Sequence, residues 1–138
     1  MGPSGPQQLP SDDDPIPDDV LLHRLVPPRW WHVVAGEWRV ISGGLDNSSG
    51  GGEDMSVILG DTLAAMGRTP ESLVANRPDC GVVTLRAGTV RAEGQTIVRT
   101  READEPAHGD VVGTKGPGKR KRLVRDAVHI IKPTIPPE

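Results

Sequence analysis

The stretch VVGTKGPGKRKRLVRDAVHII, Val111 to Ile131, gathers the residues best suited to hold a negatively charged group. Within it GTKGPGKR, Gly113 to Arg120, matches the G-x-x-x-x-G-K spacing of a phosphate loop, in which glycines let backbone amides approach phosphate oxygens and a lysine supplies charge. Arg120 stands where a hydroxyl residue would hold magnesium, and Pro117 removes one amide donor. Only about 18 residues follow, too few for a second strand with an acidic metal ligand, so nucleotide hydrolysis is not expected. The same cations suit simpler anion binding. Lys119 to Arg122 fall at a predicted helix start, where each opposes the macrodipole by roughly 0.3 to 1 kcal/mol, and where free amides favour an anion. The candidate anion- or partner-binding residues are therefore Lys115, Lys119, Arg120, Lys121, Arg122 and Arg125, with Gly113, Gly116 and Gly118 allowing close backbone approach. The bland alternative is a solvated basic turn that frays.

Other chemistry is sparse. His23, His32, His108 and His129 show no metal-ligand spacing, and Cys80 has no second cysteine beside it, so neither a metal site nor a cofactor is expected. His108, near Asp110, has the type of a general base, with Cys80 or Ser56 as nucleophile, but nothing in the order of residues brings these groups together. The three tryptophans, Trp30, Trp31 and Trp38, are expected in the core, because the chain contains no Phe or Tyr to share that task.

Net charge is −3, yet its distribution is polar along the chain. Residues 1–19 carry five Asp and no base, whereas residues 115–132 carry seven bases against Asp126. The acidic segment and the basic one have complementary charge for each other or for separate partners, an acidic protein surface or a nucleic-acid backbone among them. A single cysteine excludes an internal disulfide framework. No apolar run approaches the roughly 18 to 20 residues of a membrane span, and no signal-peptide pattern opens the chain, so a cytoplasmic protein without membrane contact is expected.

These residues must be positioned by a small frame. Residues 1–19 are too polar and Pro-rich to offset ordering entropy and read as a disordered acidic arm. Order is expected over 20–131, with 132–138 a Pro-rich tail. Val20 to Val26 reads as a strand, stopped by Pro27 and Pro28. The segment around Ala35 and Gly36 reads as a turn followed by a strand, with a helix or hairpin as alternatives. Residues 42–54 form a Gly/Ser-rich loop of a length typical of a lid or binding loop. Asp61 is placed to cap a short helix ended by Gly67, and Thr69, Pro70 and Glu71 open another. Val82 to Gly88 and Gln95 to Thr100 read as strands, and a short strand precedes Gly113. The longest predicted helix runs through residues 118–131, with Leu123, Val124, Ala127, Ile130 and Ile131 on one stripe. The expected architecture is a single small α+β domain: a few short strands, two or three short helices and a C-terminal amphipathic helix.

The order LHR at 22–24, WRVISGGL at 38–45, MSVIL at 55–59 and PAHGDVVG at 106–113 resembles a group of small uncharacterised bacterial proteins. A fainter pattern is similar to RES-type ADP-ribosyltransferase-like toxins: Arg24 on a first strand, Arg39 as a second arginine, then MSVILGDTLAAM as a strand and small helix. That likeness implies NAD consumption in a pocket of Arg24, Arg39 and Ser56, although Ser56 replaces an aromatic hydroxyl and Ala65 and Met66 lie where the catalytic Glu belongs. The residues themselves point first to a non-enzymatic accessory or binding module that engages a polyanion or acidic partner through the basic helix start. An NAD-consuming effector, or a subunit of a larger bacterial assembly completed by a neighbour, is the alternative.

Overall fold

The computed structural model describes residues 9–45, 54–114 and 116–135. Among them lie eight strands: β1 (Leu21–Val26), β2 (Trp31–Val34), β3 (Glu37–Val40), β4 (Asp54–Leu59), β5 (Gly81–Arg86), β6 (Thr96–Arg99), β7 (His108–Val112) and β8 (His129–Ile131). Three helices accompany them: α1 (Gly60–Ala65), α2 (Ala87–Ala92) and α3 (Pro117–Arg125). The α+β class read from the sequence is the class observed. Six strands form one sheet in the order β6-β7-β4-β1-β5-β8, and β2 and β3 form a separate hairpin. Every pairing among the described residues is antiparallel. A phosphate loop of the hydrolase kind needs a parallel β-α-β frame, so the Gly113–Arg120 match has no such setting here.

Alternation along the strands divides the sheet into two faces. Leu22 lies opposite both Leu59 and Leu85, and these three, with Met55, Val57, Val83 and Val111, make the principal core under Val90 of α2 and Leu123 of α3. Each such side chain contributes about 1.5 to 3 kcal/mol by leaving water. His23 lies opposite Ile58 and Thr84, so the other face is more polar. It is covered by the 3-10 turn Pro70–Val74, which touches β1 and β5.

Several local readings change. The C-terminal helix stops at Arg125, because Val128, Ile130 and Ile131 are β-branched and β5 offers an open edge; Val83 pairs with Ile130, and Val82 with Ile131. The Ala127, Ile130 and Ile131 part of the predicted stripe therefore belongs to a turn and a strand. Ala35 and Gly36 both have positive φ, 52° and 81°, and turn β2 into β3 as a hairpin. Of the 42–54 loop, Ser42–Leu45 is a 3-10 turn with Leu45 fully buried, and Asp54 already belongs to β4; residues 46–53 lie outside the described residues. Gly43 lies under the Trp30 ring and Gly44 against a Val26 methyl and the Trp30 Cβ, with no room for a Cβ at either, so these glycines serve packing. Trp31 is buried and donates its indole N–H to the Val26 carbonyl, while Trp30 and Trp38 are half-buried against the core.

The acidic N-terminal segment also differs from its disordered reading over residues 9–19. Ile16 is 7% exposed and joins the core. Arg99 donates to the carbonyls of Asp14 and Pro15, Arg101 to that of Pro10, and Arg91 pairs with Asp18 at 2.7 Å. One anchored isoleucine, backbone acceptors for two arginines and the Asp18 carboxylate for a third offset an entropy cost that composition alone sets too high. Residues 1–8 and 136–138 lie outside the described residues.

Candidate functional site

A cavity of about 410 Å³ opens between the polar face of the sheet and the Pro70–Val74 turn. His23 and Leu25 reach it from β1, Ser56 and Ile58 from β4, and His108 from β7; Arg68, Ser72, Leu73, Arg77 and Glu105 close it from the connecting segments. The alternation of β1 and β4 places these side chains there, since Leu22, Val57 and Leu59 take the opposite, core-facing positions. Arg68 is delivered by the end of α1. Gly67, at φ 72°, forms a C-terminal cap in which its amide donates to the Ala64 carbonyl and the Arg68 amide to that of Leu63.

Arg68 and Glu105 meet as a bidentate pair at 2.7 and 2.9 Å. The hydrogen bonds from Arg68 pull the Glu105 carboxyl below its ordinary value against partial desolvation, so it is ionised at neutral pH. His23 is 3% exposed and bonds the Thr84 hydroxyl through Nδ1 at 2.8 Å. Burial lowers its pKa, more than Glu71 raises it, and the ring is neutral. His108 is half-buried, with Nδ1 2.8 Å from the Thr100 hydroxyl and 3.1 Å from the Thr100 carbonyl.

Arg24 lines the cavity but belongs by alternation to the core-facing side. Cα pairing of β1 with β4 stops at His23, and the Arg24 guanidinium bridges the gap by donating to the carbonyls of Ser56 and Gly44 at 2.9 and 3.2 Å. Its evident task is to join strands that have begun to separate. Arg39, expected beside Arg24 and Ser56, lies on the outer hairpin with 63% of its side chain exposed and does not line the cavity. The structure thus brings together Arg24, Ser56 and His108, and not Arg39. Cys80 is buried outside the cavity, and burial with the adjacent Asp79 raises its thiol pKa, which leaves it protonated and a poor nucleophile.

The basic segment is partly neutralised by its own neighbours. Arg122 holds Glu93 in a bidentate pair at 2.9 and 2.8 Å, and Arg125 does the same with Asp126 at 2.9 and 3.0 Å. Lys119 and Arg120 are half-buried, Lys121 is exposed, and Lys115 lies outside the described residues. No acidic residue occupies the first turn of α3, and Gly116 caps it without a side-chain bond. Gly116 and Gly118 stand at the surface, whereas Gly113, at φ 142°, abuts the Gln95 amide, where a Cβ would lie 2.6 Å from Oε1. Gln95 in turn donates to the Thr114 carbonyl at 2.9 Å and ties the loop before α3 to the sheet. The described part of the acidic arm lies on Arg91, Arg99 and Arg101 rather than on this helix.

Among the described residues no cluster of His, Cys, Asp and Glu could hold a metal ion, and no helix is long and apolar enough to cross a membrane. Comparison with protein-family models, curated proteins and solved structures finds no match. Of the cavity's polar members the sequence points to Arg24, Ser56 and His108; Arg68, Ser72, Arg77 and Glu105 carry no local signal, because the lining is scattered from residue 23 to residue 108.

Proposed function

We propose that this protein is a binding module for a small anion held in the cavity between the sheet and the Pro70–Val74 turn. The observation that carries the reading is the charge of that concavity: among its described lining residues Arg68 and Arg77, with Arg24 engaged by the Ser56 and Gly44 carbonyls, stand against the Glu105 carboxylate. Glu105 is matched by Arg68, while Arg77 makes no ion pair or hydrogen bond with a described side chain and stands at the rim. The volume is at the lower end of small-molecule sites and suits a ligand of mononucleotide size or less. A non-enzymatic role fits the exclusion of Cys80 from the site and the structural use of Arg24. An NAD-consuming reaction has less support, since Arg39 stays outside.

The test is titration calorimetry with adenosine monophosphate and inorganic phosphate at low salt. Saturable binding is expected, weakened about 10- to 100-fold in R77A, the range for losing one charged hydrogen bond. Equal affinity in R77A would sink the cavity reading.

A second reading rests on a separate observation: α3 begins with basic residues and no acid in its first turn. Lys119, Arg120 and Lys121, with Arg122 and Arg125 beside them in pairs with Glu93 and Asp126, would present this charge to a nucleic-acid backbone or acidic protein surface. Binding of a labelled oligonucleotide that falls steeply with salt and is lost in K119A/R120A/K121A would support it. Salt-independent binding would count against it. A cytoplasmic setting accords with either reading.

A further inference from the structure

The hydrogen bonds of His108 fix which ring nitrogen carries the proton, and this narrows the ligand. A carbonyl oxygen only accepts, and the Thr100 carbonyl lies 3.1 Å from Nδ1. An unprotonated Nδ1 would set two lone pairs against each other there, so the neutral ring holds its hydrogen on Nδ1 and leaves Nε2 as an acceptor. The Thr100 hydroxyl at 2.8 Å completes the anchorage, and the ring lines the cavity. Other polar groups around it are engaged: both Glu105 oxygens accept from Arg68, and the Ser72 hydroxyl donates to the Thr69 carbonyl. No described residue bonds Nε2 of His108.

Resting on the anion-cavity reading, we infer that the ligand is a hydroxylated anion, a sugar phosphate or a sugar acid, whose charged group meets Arg77 and whose hydroxyl donates to Nε2 of His108. An acceptor on the cavity wall discriminates, because a bound ligand without a hydroxyl displaces water from it and leaves it unpaired.

The experiment compares ribose 5-phosphate, ethyl phosphate and gluconate by calorimetry on the full chain and on His108→Phe. Ribose 5-phosphate is expected to bind about tenfold more tightly than ethyl phosphate, the worth of roughly one hydrogen bond. In His108→Phe the ratio of the two affinities should fall to about one, whatever the change in the affinity for ethyl phosphate itself. Gluconate binding as tightly as ribose 5-phosphate identifies the carboxylate source, and weaker binding identifies the phosphate. Persistence of the hydroxyl preference in His108→Phe overturns the inference and leaves the anion cavity intact; failure of all three ligands to bind overturns both. Nitrogen-15 spectra of the unaltered protein give an independent check. The expected tautomer of His108 has its hydrogen on Nδ1, and hydrogen on Nε2 would overturn the inference.

Discussion

At the scale of single residues, arginines do more joining than their places in the sequence suggest. The Arg99 side chain is 4% exposed and binds both oxygens of Asp61, at 3.0 and 2.6 Å, besides the Asp14 and Pro15 carbonyls. Asp61 is thus an ion-pair partner rather than the helix cap its position implies; Leu59, two residues earlier, occupies the cap position. Desolvation raises the Asp61 pKa, but the hydrogen bonds and charge of Arg99, with the bonds from Thr62, lower it further, and the net shift is downward. A carboxyl lowered in the folded state stabilises above its unfolded value, about 3.9, and loses that contribution as pH falls through the folded value. Asp61→Asn is therefore expected to cost about 3 kcal/mol at pH 7, by leaving the Arg99 charge without its carboxylate. Urea unfolding at pH 7 and pH 3 should show the gap closing in acid. His23 behaves with the same sign in a higher window: its lowered pKa means that stability declines as pH drops below about 6.5. His23→Gln should flatten that part of the stability profile, and a wild-type profile flat between pH 7 and pH 5 would contradict the buried neutral ring.

At the scale of elements, what was legible followed local rules. The β1 strand bounded by Pro27, the Gly67 end of α1 and the strand from Val82 follow from periodicity and turn chemistry, because the signals lie within a few residues. The errors came from long-range competition. Residues 129–131 continue the predicted helix when read alone, but the open edge of β5 recruits them into β8. Ser42 to Leu45 reads as flexible until the Trp30 side chain, more than ten residues earlier, is placed against its glycines. The cavity is legible only in Arg24, Ser56 and His108, since its residues meet only when β1, β4 and β7 become neighbours. One element-level outcome tests the junction before α3. Gly113→Ala places a Cβ against Gln95 at a positive φ and is expected to destabilise by about 1 to 3 kcal/mol. Thermal unfolding checks it, and an unchanged midpoint would mean the loop relaxes without cost.

At the scale of the whole molecule, the acidic N-terminal segment and the basic C-terminal one are separated rather than joined. Residues 9–19 run over Arg91, Arg99 and Arg101, with Ile16 closing the core from that side. Removing residues 1–19 is therefore expected to cost at least the burial of Ile16, about 1.5 to 3 kcal/mol, and to lower the unfolding midpoint of the remaining chain. The charge of the sheet-face cavity and the charge of α3 then stand as two distinct positive surfaces, and they make separable claims on a ligand. Amide chemical-shift mapping of the nitrogen-15-labelled protein with adenosine monophosphate decides between them. The account predicts shifts confined to Leu25, Ser56, Ser72, Leu73, Arg77 and His108 around the cavity. Shifts confined to Gly116, Gly118, Lys119, Arg120 and Lys121, with the cavity silent, would contradict it.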